Sequence, residues 1–525
     1  MSINPNLDLH LQLFRIKLNN NMKILASILT GLLLIGGQPN ANKTKTSARL
    51  YVSNYENVLG TSLEFKFTSL SEAEAEKAEL AALGEIERLS AIFSAYDTNS
   101  EFNKWMNSDL KKPVKVSEEL FNMLQLFEQW KERTGGAVDA SAAVATNLWK
   151  EAAKNQKLPS ETQLNDVVNR MKQQHYSLNN KDLTATRLTQ APLVMNTFAK
   201  SYIINLACDV ALASAKIDAA VVNIGGDIVV KGNVKDVVKV TNPLANAEND
   251  APLDQLLIHN RAIATSGNYR RGEQIGKHWY SHIVDPRTGK PVDGVISATV
   301  VAANATDAGA LATAFNVLSL AESKSLAETV EGAEYLIITA SGKRVESKGW
   351  SELIDPASKV TKEAIKPVYN GAEKPWDPKY ELNIALELNA ISGNSHRPFA
   401  AIWVEDANKK SVRNLALWYN KTKWVPDLRN WYRINGETFK ADKANYASVT
   451  GATRSPGKYT IKWDGKDDNG NFVPQGKYTI MIESSKEHGT DEIIRQPLEL
   501  KKSAKKVTIP GNVEISNVTF DFRKK

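Results

Sequence analysis

The chain has 525 residues, more than one hydrophobic core normally serves, so we expect two or three domains. Hydrophobic residues make up 42% and charged residues 24% of the chain, which excludes a disordered protein. The net charge is +7, but basic and acidic residues alternate along most of the sequence, which argues against nucleic acid as a partner.

The first patterned segment lies near the N-terminus. Met22 and a lysine precede an apolar run at 24–35, and small and polar residues follow up to Ala41, the order of a secretory signal. We therefore predict a signal peptide over 1–41, with translation starting at Met22. The apolar run is shorter than the ~20 residues that span a bilayer, so a permanent membrane span is the weaker alternative. Cys208 is the only cysteine, which excludes an intramolecular disulfide.

Residues 49–350 mix helical and strand patterns. Ser71 and Glu74 match the spacing of a capping box, and apolar residues at helical spacing follow as far as Phe93. Short apolar runs at 219–222 and 296–301 indicate strands. The sequence therefore predicts an α+β or α/β domain over this part of the chain.

The pattern changes after Trp350. Residues 351–378 lack periodicity and contain several prolines, which is typical of a linker. From 379 to 525 apolar and polar residues alternate in short runs separated by turn residues, beginning with Tyr380 to Leu388. We predict an all-β sandwich here, with β structure throughout.

Four polar clusters in the first domain are candidates for chemistry. Gly225-Gly226-Asp227 follows a strand, and adjacent glycines let backbone amides approach phosphate oxygens, although such turns also occur without a ligand. Ser266 and Gly267 lie in a second cluster whose hydroxyl and guanidinium groups suit a phosphate or ribose; a plain turn is the alternative.

The third cluster contains a histidine that titrates near neutrality, His282, and a nearby carboxylate, Asp285. A surface histidine before a turn is more often structural when it stands alone. The fourth is a helix start rich in small residues, with Asp307 and Thr313 as oxygen donors of the kind that Mg²⁺ prefers.

The order of these clusters, with further motifs, resembles the ApbE family of FAD:protein FMN transferases over roughly Tyr51 to Gly349. The additional motifs are Leu59-Gly60-Thr61, Tyr96 to Asn103, Gly136 to Asp139 with Leu148-Trp149, and Asn196 to Tyr202. The resemblance implies a T-fold-like α/β domain whose cleft holds FAD. It also implies transfer of FMN from FAD to a Thr or Ser hydroxyl of a target redox protein, with release of AMP and with Mg²⁺ as cofactor.

The resemblance also implies roles for individual residues. His282 and Asp285 match the catalytic motif, and His282 assists proton removal from the acceptor hydroxyl. The residues expected to bind FAD are Ser100, Glu101, Phe102, Lys200, Gly225, Gly226, Asp227, Ser266, Gly267 and His282. The expected metal ligands are Thr313, Asp307 and a backbone carbonyl near Thr197.

Three positions depart from the family pattern. Gly309 stands where the metal-binding aspartate is usual, Ser201 where glycine is usual, and Asn205 where aspartate is usual. Asp307, two residues before Gly309, is the candidate that compensates for the missing carboxylate. A non-catalytic periplasmic FAD-binding protein is therefore the alternative to an active transferase.

The C-terminal segment resembles an uncharacterised periplasmic domain found with such transferases, on motifs at 397–403, 451–457 and 463–470. The resemblance implies a periplasmic location, and we expect the sandwich to dock the acceptor protein or an electron-transfer partner. Residues 464–471 depart from a calcium loop at Lys466 and Asn469, which favours a polar hairpin turn.

Overall fold

The computed structural model describes residues 48–269, 271–360, 376–390, 397–441, 446, 448–486, 491–501 and 503–525. The predicted signal peptide lies outside these residues, as does the middle of the predicted linker. No helix in the described ranges is both long and apolar enough to cross a membrane.

The helices of the described residues are α1 Glu72–Phe93, α2 Glu101–Met106, α3 Glu118–Arg133, α4 Ala143–Lys154, α5 Glu161–Met171, α6 Ala199–Ser214, α7 Ala305–Val317, α8 Leu320–Ala327, α9 Trp350–Leu353, α10 Pro356–Val360 and α11 Arg429–Ala441.

The strands of the first domain are β1 Arg49–Val58, β2 Thr61–Ser69, β3 Pro113–Lys115, β4 Tyr176–Asn179, β5 Thr184–Arg187, β6 Ala219–Ile224, β7 Asp227–Gly232, β8 Asp236–Val240, β9 Asp254–Ile258, β10 Arg261–Gly267, β11 Gly272–Ile275, β12 His278–Ser281, β13 Val284–Asp285, β14 Lys290–Pro291, β15 Val295–Ala302, β16 Glu334–Thr339 and β17 Arg344–Glu346. Those of the second are β18 Tyr380–Leu388, β19 Phe399–Glu405, β20 Ser411–Trp418, β21 Thr450–Gly451, β22 Gly457–Trp463, β23 Gly476–Ser485, β24 Asp491–Leu500, β25 Lys505–Pro510 and β26 Ile515–Lys524.

An eight-stranded antiparallel sheet forms the centre of the first domain, in the order β1-β2-β6-β7-β10-β15-β16-β17. Alternate residues of β2, Leu63, Phe65 and Phe67, are buried against helices, as the period of two in a half-buried strand requires. Helices α1, α6 and α7 contribute to the same core, and the opposite face carries a smaller core around Trp350. The predicted mixed fold class is confirmed.

The second domain packs a four-stranded sheet, β22-β18-β26-β25, against a five-stranded sheet, β21-β20-β19-β23-β24. Its core includes Leu382 and Ile384 of β18 and also Trp376, which belongs to the predicted linker. The segment at 464–471 forms a polar turn in which the Asp467 carboxylate accepts from the backbone N–H groups of Asn469 and Asn471.

The prediction of β structure throughout the second domain is wrong at α11. Trp431, Asn435 and Phe439 are buried at a spacing of four, which is a helical period. The first turn of α11 is held by the buried carboxylate of Glu483, which accepts from the backbone N–H groups of Asn430 and Trp431 at 2.8 and 2.7 Å. Because Glu483 lies about fifty residues later in the chain, this cap is not visible as a local motif.

The two domains contact each other through charged and backbone groups. The backbone N–H of Asn54 in β1 donates to the carbonyl oxygen of Asn420 at 2.6 Å. Lys462 in β22 pairs with Asp250 at 2.7 Å, and Arg397 pairs with Glu56. The sandwich therefore lies along the outer strand of the large sheet.

Candidate active site

The start of α6 meets the turn between β6 and β7. Gly225 and Gly226 have φ angles of +62° and +101°, which only glycine adopts readily, and they reverse the chain between the two strands. Asp227 follows immediately, and its Oδ2 accepts a 2.8 Å hydrogen bond from the Ser201 hydroxyl. Lys200 precedes Ser201, so a cationic and an anionic side chain are brought together here.

Lys200 and Asp227 are both partly buried, and this burial shifts the pKa of each. Burial raises the pKa of the Asp227 carboxyl to about 6, although the Ser201 hydrogen bond and the charge of Lys200 oppose this rise. Burial lowers the pKa of Lys200; Asp227 counteracts that effect, and the positive charge of Arg271 adds to it. Asp227 and Arg271 therefore both lie close enough to Lys200 to influence its charge.

His282 joins this group through the β11–β12 hairpin. Gly272 pairs with Ser281, so Arg271 and His282 face each other at the open end of the hairpin. His282 Nδ1 lies 3.0 Å from the carbonyl oxygen of Arg271, and since a carbonyl only accepts, Nδ1 carries the proton and Nε2 is the basic nitrogen. Partial desolvation and the charge of Arg271 lower the pKa of His282, whereas the hydrogen bond to the Arg271 carbonyl raises it; the net lowering favours the neutral imidazole.

Packing behind the hairpin fixes this geometry. The ring of Tyr280 lies 4.9 Å from that of Trp149 in α4. The Gln156 amide accepts from the backbone N–H of Gly276 and donates to the carbonyl of Gln274, at 3.0 Å each. These contacts hold the hairpin that carries Arg271 and His282 against α4 and against Gln156 just after it.

Ser266 and Gly267 end β10 on the same side of the sheet as α7. The carbonyl oxygen of Ser266 accepts from the side chain of Asn316 at 3.1 Å. A Cβ placed on Gly267 would lie 2.6 Å from the Tyr269 ring, so only glycine fits beside that ring. By contrast, the space beside Gly226 is open, with no atom within 4 Å of a Cβ placed there.

The side chains of the predicted FAD-binding residues Ser100, Glu101 and Phe102 make contacts within the first domain. The fully buried Ser100 caps α2, accepting from Asn103 N at 3.0 Å and donating to Ser94 O at 2.6 Å. A Glu101 oxygen accepts from the backbone N–H of Ser117 at 2.6 Å, and Phe102 is buried in the core.

Asp285 binds Arg287. Its carboxylate accepts from the guanidinium at 3.0 Å on both oxygens and from the backbone N–H of Arg287 at 2.9 Å. Such a bidentate pair fixes the turn that follows His282. The hydrogen bonds of Asp285 thus shape the loop and do not orient the imidazole.

The predicted metal ligands are divided between faces of α7. Gly309 and Thr313 are four residues apart and share a face, whereas a helix turns about 100° per residue and places Asp307 on another side. Burial raises the pKa of Asp307, and the charge of Arg133 opposes it, so Asp307 lies towards the end of α3. The partly buried Thr197 precedes the start of α6.

Two residues that lie in the quoted motifs but were not predicted as site residues belong to this region. Arg271 supplies both the carbonyl that orients His282 and a charge near Lys200. Tyr96 is 85% exposed, and its hydroxyl lies 3.5 Å from the side chain of Asn196, close to the start of α6. The sequence signal for Tyr96 was its place at the start of the family motif at 96–103.

A cavity of about 320 Å³ lies elsewhere, between the end of α3 and residues 172–176. Its walls include Asp139 and His175, and none of the predicted site residues. The charged groups therefore favour an active site where α6, the double-glycine turn and the hairpin meet. The 320 Å³ cavity lies away from this place and is not the predicted site.

The fold and the cluster of basic groups define a protein with an antiparallel α+β domain suited to a phosphate-bearing ligand. A family model described as the ApbE family matches residues 59–337, more than half of the chain, and the chain belongs to that family. A second model, described as a predicted periplasmic protein (DUF2271), matches residues 381–517. The predicted family and fused periplasmic domain are confirmed.

Named relatives agree with this assignment. The FAD:protein FMN transferase of Vibrio cholerae is 28% identical over 249 residues, covering 46% of this chain and 74% of that protein. The enzyme of the same name from Escherichia coli is 25% identical over 267 residues, covering 48% and 73%. The crystal structure of the ApbE protein from Thermotoga maritima matches with a TM-score of 0.53 and 25% identity, covering 58% of this chain and all of that one.

Proposed function

We propose that the chain is an FAD:protein FMN transferase that moves FMN from FAD to a Thr or Ser hydroxyl of a target redox protein and releases AMP. The observation that carries this proposal is a row of neighbouring charged groups: Asp227 interacts with Lys200, Lys200 with Arg271, and Arg271 with His282. Two neighbouring cationic side chains, Lys200 and Arg271, suit the diphosphate of FAD. Family membership and the names of the relatives support the same reaction.

The transfer needs one nucleophile and one proton acceptor. The acceptor hydroxyl oxygen attacks the phosphorus of the FMN phosphate, and the bond from that phosphorus to the oxygen shared with AMP breaks. The hydroxyl proton passes to His282 Nε2, the basic nitrogen left by the Nδ1 hydrogen bond to Arg271. Lys200 and Arg271 neutralise charge on the phosphates, which is the main contribution that a protein makes to phosphoryl transfer.

The flavin nucleotide is expected to lie along the double-glycine turn. Gly226 leaves open space in which backbone groups approach the ligand without a side chain between them. Tyr96, exposed beside Asn196, presents a ring face for stacking. Ser266 and Gly267 lie at the end of β10, where we place the phosphate side of the nucleotide.

Magnesium, which the resemblance implies, does not fit the expected ligands. On the face of α7 that carries Gly309, Thr313 has a hydroxyl and Gly309 has no side chain. Asp307 lies on another side of the helix, near Arg133. Mg²⁺ is usually held through one or two carboxylates, and α7 offers none on this face. The proposed mechanism therefore includes no step through the metal.

Export and docking complete the proposal. The segment 1–41 acts as a cleaved signal that sends the protein to the periplasm, in keeping with its match to a predicted periplasmic domain. The sandwich contacts β1 through Arg397, which binds Glu56 and Asn57 near the turn that packs on Gly225. It thus borders the rim of the site, where an acceptor protein would dock.

The test is incubation of the full mature chain with FAD and a purified flavin-acceptor domain. We expect the acceptor to gain the mass of one FMN and AMP to be released in equal amount. The departures at Ser201 and Gly309 favour a second candidate, a non-catalytic FAD-binding protein. Saturable FAD binding without acceptor mass gain, with and without Mg²⁺, would support that candidate and reject the transferase.

A further inference from the structure

Helices α6 and α7 touch at Ser201 and Gly309. A Cβ placed on Gly309 would lie 2.5 Å from the Ser201 hydroxyl oxygen and 3.2 Å from the Cβ atoms of both Ser201 and Phe198. Contacts of 2.5 Å between such atoms are well inside van der Waals separation. The space that a side chain at 309 would need is therefore already filled by Ser201.

The hydroxyl that fills this space also forms the hydrogen bond to Asp227. Its donor distance to Asp227 Oδ2 is 2.8 Å, and Asp227 is fixed by the glycine turn before it. If Ser201 rotated away to make room at 309, the partly buried Asp227 carboxylate would lose this hydrogen bond. An unmade bond to a buried charge is costly, so the serine is held in place.

We infer that Ser201 and Gly309 act as an interlocked pair that excludes a carboxylate from position 309 of α7, so that the face of this helix carrying Thr313 has no Mg²⁺ site and Asp227 is the carboxylate of the active site. The two positions depart from the family pattern in opposite directions. Position 201 has a serine where glycine is usual, and position 309 has a glycine where aspartate is usual. The glycine at 309 leaves space on α7, and the side chain of Ser201 occupies that space. The inference concerns the site of the proposed function, but cation binding and unfolding can be measured whether or not transfer occurs.

The pair is tested with Gly309→Asp, Ser201→Gly and the double variant in the full chain. Gly309→Asp alone is expected to lower the Tm of the first domain by roughly 5 °C, the scale of an overpacked contact. The double variant is expected to recover most of that loss. Titrated with Mg²⁺ alone by calorimetry, the double variant should show saturable binding and a rise in Tm, whereas the unaltered protein should show neither.

Gly84→Asp is the matched control, because Gly84 is also helical and a Cβ there meets no atom within 4 Å. It reports the general cost of aspartate in a helix, and the loss in Gly309→Asp should exceed it. Three results would overturn the inference: a Gly309→Asp protein as stable as Gly84→Asp, saturable Mg²⁺ binding by the unaltered chain, or a double variant that binds no Mg²⁺. A separate titration with FAD distinguishes the failure of this inference from the failure of the proposed function. Absence of FAD binding in the unaltered chain and in every variant would count against the proposed function and not against the Ser201–Gly309 pair.

Discussion

Two parts of the first domain carry motifs of the same family but differ in what their residues touch. Around the start of α6, Lys200 interacts by charge with Asp227 and Arg271, and the carbonyl oxygen of Arg271 orients His282. In the segment at 94–103, Ser100 caps a helix, Glu101 accepts a hydrogen bond from the Ser117 backbone, and Phe102 is buried in the core. A family motif therefore marks positions that the fold needs as well as positions that the chemistry needs. The following substitutions separate the two.

The largest contrast is expected between His282 and Asp285. His282→Ala removes the proton acceptor and should lower the rate of AMP release by about 10²- to 10⁴-fold, with FAD affinity nearly unchanged. Asp285→Asn is the control, because Asp285 binds Arg287 within the turn; it should lower the Tm and leave transfer within a few fold. An Asp285→Asn protein of normal Tm that transfers no FMN would show that this carboxylate belongs to the chemistry.

Lys200 should affect binding more than any scaffold residue does. Lys200→Met keeps the apolar stem and removes the charge, so the Kd for FAD, measured by flavin fluorescence, should rise roughly 10- to 100-fold. Lys231→Met is the control, since Lys231 forms an ion pair with Asp209 further along α6. Equal Kd values for the two variants would remove Lys200 from the nucleotide site.

Asp227 should give the site a pH signature in stability. Its carboxyl has a folded pKa of about 6, above the ordinary value of 3.8, so the folded chain binds the extra proton between these values. The stability that this group contributes is thus present at low pH and is lost as pH rises from about 4 to 6. Relative to the unaltered chain, Asp227→Asn should gain about 2 kcal/mol of unfolding free energy between pH 4 and pH 7, measured by urea denaturation. A difference that stays constant with pH would contradict the burial of this carboxylate.

The smallest effect is expected at Ser100. Ser100→Ala removes a helix cap and should cost about 1 kcal/mol of unfolding free energy, with the Kd for FAD unchanged. Ser117→Ala, which removes the cap of α3, should cost a similar amount. A Ser100 variant with weakened FAD binding and full stability would place this serine in the flavin site.

The sequence was sufficient to predict the mixed fold of the first domain and the sandwich of the second, because periodicity and turn residues are local signals. The contact of Ser201 with Gly309 was not predictable, since 108 positions separate two residues that meet only when α6 packs on α7. The role of the Arg271 carbonyl depends on hairpin register, which the sequence does not display. The turn at Asp285 was predictable from the sequence, because an Asp side chain commonly accepts from the backbone N–H two residues later, here that of Arg287.

The position of a bound diphosphate tests the central claim most directly. We expect a crystal structure of the full mature chain with ADP to place the phosphates within hydrogen-bonding distance of Lys200 and Arg271, with His282 Nε2 facing them. A diphosphate bound instead in the 320 Å³ cavity beside His175 would contradict this account.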